Sequence, residues 1–306
     1  VPLLLVISFI VFTLIQLAPY DAIDAQITSN MSQEEINILR EQSGLNKPFL
    51  IQYVDWLGQI LSGNFGHSLV THNSVGEEIL AKIPNTISLV LPAYVTALVI
   101  AIVLGLLAAA NKGKWQDKFI DAVASLGIAT PSFWIAMIFI YVLGYQLNLF
   151  PIIGMHTIGK EDDFGDFLSH FIMPYLTLTI VFFAELTRYV RSSALSQTNE
   201  EYVVVQQAFQ ATKTQIFTRH IIKNVLIPVI TQVGMSLPML VTGAIITETV
   251  FSWPGIGPYI TQATRALDYP IIMAVMLLSA TLVIVGNLIS DILYSIVDPR
   301  IRRGGK

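Results

Sequence analysis

Cysteine is absent from the 306 residues, which excludes disulfides, thiol nucleophiles and thiolate metal sites. Charge is scarce as well. Asp, Glu, Lys and Arg make up 12% of the chain against 54% hydrophobic residues, and the mean hydropathy is +0.65. So little polar surface cannot clothe a soluble fold of this length, and an integral membrane protein is expected. No long segments alternate apolar and polar residues in the ~10-residue units of a membrane barrel strand, so helices remain as the way to satisfy the backbone in lipid. No G-x-x-x-x-G-K-[ST] sequence occurs, so the chain has no loop of that kind to cradle a nucleotide phosphate. His67, His72, His156, His170 and His220 include no pair at i, i+4, and they are read as polar structural residues rather than metal ligands. Intramembrane charge is too sparse for a proton relay, with Glu185, Glu248 and Asp291 near predicted helix ends.

Six uncharged runs are present: residues 1–20, 84–111, 122–149, 167–184, 225–247 and 271–290. Each has about the ~20 residues that a helix needs to cross a hydrocarbon core of ~30 Å. An all-α membrane protein with six transmembrane helices is the expected fold class. Twelve cations gather on one side: Lys112, Lys114, Lys118, Arg188, Arg191, Lys213, Arg219, Lys223, Arg300, Arg302, Arg303 and Lys306. Five, Arg40, Lys47, Lys82, Lys160 and Arg265, fall on the other, beside acidic residues such as Glu34, Glu35, Glu77 and Glu78. The positive-inside rule then places both termini in the cytoplasm. The net charge of -4 conceals this polarity, and nothing points to nucleic acid. Val1 stands inside an apolar run without a basic flank, so a short Lys/Arg-bearing start is expected before it and signal-peptide cleavage is not.

Residues 21–83 form an external segment too long for a simple connector. Phe49, Tyr53, Trp56, Leu57 and Ile60 recur there at helical spacing between the turn sequences Gly44-Leu45-Asn46-Lys47-Pro48 and Gly63-Asn64-Phe65-Gly66, so a small cap is expected, with a structural role. Residues 84–306 then form a five-helix core. Pro92, Pro131, Pro174, Pro228 and Pro238 interrupt or begin its helices, while Gly105, Gly127, Gly144, Gly234 and Gly243 permit close approach. Either a translocation route or ordinary tight packing accounts for them. The polar, basic segment 188–224 lies between two spanning runs. Within it Tyr202, Val205, Phe209 and Thr212 share one helical face and Gln206, Gln207 and Gln210 another. A short helix of that kind, tethered at both ends to spanning helices, reads as a docking element whose movement would move the bundle. A helix lying on anionic lipid is the alternative, supported by Lys213 and Arg219.

The same segment carries a family resemblance. Glu201-Tyr202-Val203, then Ala208, Arg219-His220, Asn224 and Leu226-Ile227-Pro228 resemble the coupling loop of importer-type ABC transporter permeases. Gly63-Asn64-Phe65-Gly66 with Ser68, Pro131-Ser132-Phe133-Trp134, Leu149-Phe150-Pro151, His170 with Pro174, Glu248 through Gly257, Asp268-Tyr269-Pro270 and the closing Asp298-Pro299-Arg300-Ile301 are similar to the dipeptide, oligopeptide and nickel branch. The long external segment after the first helix resembles its B-type subunit. The likeness covers essentially the whole chain. It implies half of a heterodimeric pore, paired with a homologous permease, two cytoplasmic ATPases, an external solute-binding protein and a peptide substrate. ATP and magnesium would sit on the ATPases, with no cofactor bound directly and no catalysis by this chain.

By the same resemblance Glu201, Tyr202, Val205, Ala208, Phe209, Gln210 and Arg219 are the ATPase-coupling residues. Phe251, Trp253, Pro254, Arg188 and Arg191 are candidates for the pore or its gate, and Arg265 and Asp268 for contact with the binding protein. Interface anchoring is the competing role for Trp253, and positive-inside anchoring for the two inner arginines. The resemblance departs at Gln210, where the family normally has Gly, and a Gln reaches the left-handed region only at a cost. A changed turn or a changed ATPase groove is therefore expected. Import of nickel or a metal chelate is the alternative within the branch. A secondary transporter is the alternative class, and it would show inverted repeats and midplane ion-binding groups that this sequence lacks.

Overall fold

The computed structural model describes residues 2–17, 31–42, 46–236 and 245–297, and its regular structure is helical. Pro238, Gly243, Gly44, Leu45 and the closing motif from Asp298 lie outside these residues. In chain order the helices are α1 (Pro2–Gln16), α2 (Gln33–Gln42), α3 (Phe49–Leu61), α4 (Val75–Ala110), α5 (Trp115–Ala129) and α6 (Ser132–Phe139), which continues as a π-helical turn, Ile140–Gln146. Then come α7 (Phe164–Gln197), α8 (Glu201–Ala208), α9 (Lys213–Gln215), a second π turn (Ile216–Ile221), α10 (Ile222–Ser236), α11 (Ile245–Val250), α12 (Ile256–Ala266) and α13 (Tyr269–Val297).

Three of these, α4, α7 and α13, are long and apolar enough to cross a membrane, and α5 with α6 makes a fourth if the bent pair is one span. The bend of 95° breaks the run expected over 122–149 at Pro131, one of the prolines expected to interrupt or begin a helix. Its cause is local. Pro131, with φ -59 and ψ 138, has no N–H to continue the helix, and it holds Thr130 in extended backbone at ψ 120. The helix expected from residue 84 starts instead at Val75, with Glu77 and Glu78 in its first turn, where carboxylates favour the positive end of the helix dipole. Pro84 and Pro92 lie inside it. The first run is represented by the 15-residue α1, and the run 225–247 by α10 and the start of α11 on either side of undescribed residues.

The centre of the fold is the seam between α4 and α7. On α4 the residues Leu89, Ala93, Ala97 and Ala101 recur every fourth position, all fully buried, and pack with Leu178, Phe182 and Leu186 of α7. Small side chains let the two backbones approach, which is the main source of helix association where lipid supplies no hydrophobic contrast. Gly105 ends that stripe because no side chain fits: a Cβ there would lie 2.7 Å from Val190 Cγ1. Outside this seam, α1 carries α3 across it through Phe9, Phe12, Phe49, Tyr53 and Trp56.

Candidate functional site

Helix α8 is anchored on one side and open on the other. Val203 is buried against Ile216, Phe217 and Ile221 together with Val190 and Ala194 of α7 and Ala109 at the end of α4. Val205 and Phe209, on the opposite face, are 49% and 79% exposed. Val204 is exposed beside them, and it is the apolar position that helical spacing alone did not assign to the outward surface. Tyr202 is half-buried and donates its hydroxyl to Gln197 Oε1 at 3.1 Å, so it steadies the helix rather than presenting itself outward. Glu201, Ala208 and Arg219 are exposed. Arg219 borders a cleft of about 540 Å3 shared with Glu200, Tyr202, His220 and Lys223.

Two capping devices fix how α8 leaves and the chain returns. The N–H of Gln210 donates to Gln207 O at 2.9 Å and that of Ala211 to Gln206 O at 3.0 Å, which is the paired pattern of a Schellman cap. Such a cap requires a left-handed residue, and Gln210 takes φ +59. The turn that a glycine would make is thus retained, and the expectation of altered turn geometry is corrected. Two residues on, Thr212 and Gln215 form a reciprocal capping box, with N–H to side-chain distances of 2.9 and 3.3 Å. The π turn and α10 follow without a break. Val203 and the two caps thus hold the Val205–Phe209 face against α4, α7 and α10.

The neighbouring inner arginines divide in their roles. Arg191 is taken up by Asp117, with Nε at 2.6 Å from Oδ1 and Nη2 at 3.0 Å from Oδ2, while Gly113 N–H also donates to Oδ2 at 2.8 Å. This pair ties the α4–α5 turn to α7, and it corrects the placement of Arg191 among the pore candidates. Arg188, one turn earlier, is exposed.

At the other end of the bundle, residues 251–255 form a tightly held turn between α11 and α12. Trp253 Nε1 donates to Asn85 O at 2.8 Å, Asn85 Nδ2 to Pro254 O at 3.0 Å, and Ile256 N–H to Thr86 Oγ1 at 2.9 Å. Gly257 N–H donates to Glu248 Oε2 at 2.7 Å, and Gly154 N–H to Phe251 O at 2.8 Å. Phe251 and Trp253 are buried, the latter against Phe167 and Phe171, so they are the core of the turn rather than a pore wall. Ser252 and Pro254 are the parts that reach the surface. They border an external cleft of about 380 Å3 with Lys82, Gln262 and Arg265. Asp268, expected at the binding-protein surface, is 1% exposed and accepts from Ser68 Oγ and from Leu69 N–H. Its carboxylate fastens the loop after α3 to the α12–α13 corner.

Sequence reasoning placed Glu248 near a helix end and gave it no part. It is fully buried, grips the turn through Gly257, and has no hydrogen-bond partner at Oε1 among the described residues. The signal was present in Gly255 and Gly257: a Cβ on either would lie 2.5 or 2.8 Å from Glu248 Oε2. No group of three or more His, Asp or Glu residues forms a metal site among the described residues.

A bundle of long apolar helices carrying one short, braced helix with an exposed apolar face is the architecture of a membrane permease. Residues 101–303 match the family described as binding-protein-dependent transport system inner membrane component, and residues 1–90 match the N-terminal family of the same systems. The chain belongs to this family of ABC importer permease subunits. Over 98% of its length it is 38% identical to the oligopeptide transport system permease protein AppB of Bacillus subtilis, covering 96% of that protein. It is 34% identical to the metal-staphylopine import system permease protein CntB of Staphylococcus aureus, over the whole chain and 96% of that protein. The dipeptide transport system permease protein DppB of Alkalihalophilus pseudofirmus is 32% identical over 99% of this chain and 96% of its own.

Proposed function

We propose that this permease forms one half of the translocation pore of an ATP-driven peptide importer. A homologous permease supplies the other half, two cytoplasmic ATPases bind ATP and magnesium, and a solute-binding protein delivers di- or oligopeptides from outside. The observation that carries the coupling role is the Val205–Phe209 face of α8, apolar and exposed on a frame fixed to α4, α7 and α10. A groove on each ATPase grips that face, and closure of the ATPases on ATP drags the bundle from inward-open to outward-open. The buttressed turn 251–255 stands at the outer mouth, with Pro254 on its surface and Arg265 at the binding-protein side. Arg188 lines the inner mouth. Both termini lie in the cytoplasm, and residues 21–83 face outward.

Peptide is preferred as substrate because relatives named for oligopeptide and dipeptide transport align along nearly the full chain. The CntB relative supports a second reading, import of a metal chelate by the same scaffold. The deciding experiment purifies the chain with its native neighbours and measures ATPase activity in lipid. Stimulation by binding protein loaded with di- to pentapeptides is expected. Stimulation by a nickel chelate alone moves the assignment to metal, and a chain that copurifies with no ATPase overturns the reading.

A further inference from the structure

Helix α3 has three distinct faces. At about 100° per residue, Phe49, Tyr53, Trp56 and Ile60 fall on one side; Leu50, Val54, Leu57 and Leu61 on a second; Gln52, Asp55 and Gln59 on a third, opposite the second. The first face is seated on α1. Tyr53 stacks edge-on against Phe9, Trp56 meets Phe12, and the Tyr53 hydroxyl lies 2.8 Å from Ser8 Oγ and 3.2 Å from Leu5 O. The third face is polar, and Asp55 there pairs with Lys47 at 2.6 Å. The second face has no partner: Leu50, Val54 and Leu61 are 64%, 63% and 80% exposed.

The depth of α3 decides what covers that face. Ser8 and Leu5 precede the end of α1 at Gln16 by eight and eleven residues, or about 12 and about 16 Å at the helical rise of ~1.5 Å. Tyr53 thus meets α1 alongside its apolar length rather than beyond its outer end. Leu5 and Phe9, which touch Tyr53, are themselves exposed, so one apolar surface runs from α1 onto α3. A leucine-rich sector opposite a polar one, on a helix crossing a lipid-facing helix, fits the boundary between headgroups and acyl chains.

We propose that α3 lies flat in the bilayer leaflet opposite the coupling helix, with Leu50, Val54, Leu57 and Leu61 among the acyl chains and Gln52, Asp55 and Gln59 toward the headgroups and water. The segment expected to be a small external cap with a structural role is, at α3, a membrane-surface anchor for α1. It depends on the permease being membrane-embedded, not on which solute it carries.

The absence of cysteine in this chain gives a clean test. Leu50→Cys, Val54→Cys, Leu61→Cys and Gln59→Cys are each introduced singly into the assembled transporter, with cysteine-free partner subunits, and spin-labelled in lipid. Collision rates with oxygen, which concentrates in acyl chains, and with a water-soluble nickel chelate are then compared. The oxygen-to-nickel ratio is expected to be several-fold higher at 50, 54 and 61 than at 59. Equal nickel access at all four positions puts the leucine face in water and overturns the proposal. Low access of both reagents at 50, 54 and 61 means a protein subunit covers the face, which overturns it equally. ATPase activity of each labelled complex reports that assembly is intact, and any one of positions 50, 54 and 61 suffices to decide.

Discussion

Gln210 shows how a single side chain can be at odds with its backbone and still be kept there. Its φ of +59 closes the Schellman cap of α8, although a residue with a Cβ is strained in that region by about 1 kcal/mol. Gln210→Gly is therefore expected to slow amide exchange at residues 209–211 severalfold, and Gln210→Val to accelerate it, as measured by hydrogen-exchange mass spectrometry of the complex. Unchanged exchange in both would mean that the turn stores no strain. The Arg191–Asp117 pair makes a second prediction. Removing the cation by Arg191→Ala leaves a nearly buried carboxylate with one fewer charged partner, at a cost of about 2 to 3 kcal/mol, visible as a lowered thermal midpoint. A carboxylate and a guanidinium both keep their charge through the neutral range. The difference between wild type and variant should stay flat from about pH 5 to about pH 8; a step near neutrality would contradict the assignment.

At the level of elements, what was legible followed from periodicity and from charge. Uncharged length located α4, α7 and α13, and amphipathic spacing with basic flanks located α8. What escaped was set by contacts between distant segments. The burial of Trp253 depends on Asn85 and the burial of Asp268 on Ser68, partners 168 and 200 residues away, and no local pattern announces either. Exposure by type misled at those positions: an aromatic at a turn and an acid in a loop both read as surface groups, whereas each is the fastening of a corner. Pro131 marked an interruption, but the 95° angle escaped because an uncharged run reports apolar length, not direction. The docking role of α8 predicts that Ala208→Glu, on its exposed side, abolishes ATPase stimulation while leaving the subunit assembled; normal transport in that variant would remove α8 from the interface. The external turn is more brittle. A Cβ on Gly257 would meet Ile245 Cα and Glu248 Oε2, both at 2.8 Å, and backbone cannot yield as a flexible side chain can. Gly257→Ala should lower the thermal midpoint and reduce transport. Full activity with an unchanged midpoint would show that Glu248 is free to move away.

For the whole molecule, the decisive property is that its two ends differ in both chemistry and rigidity. The inner end gathers cations and presents one apolar docking face on a braced helix. The outer end is closed by a turn held from α4, α11 and the 154 loop, beside a cleft bearing Lys82 and Arg265. The proposed permease, driven from the cytoplasm and loaded from outside, needs that division, since force must enter at one end and solute at the other. It also needs one fixed orientation. Twelve cations against five in the sequence predict that the α8 end faces the cytoplasm. Glu161 in the loop before α7 and Thr214 in α9 are both exposed, and they mark the two ends. In intact cells a membrane-impermeant maleimide should label Glu161→Cys at once and Thr214→Cys only after lysis. The opposite pattern would place α8 outside, where no ATPase could reach Phe209, and would overturn the coupling role together with the direction of transport.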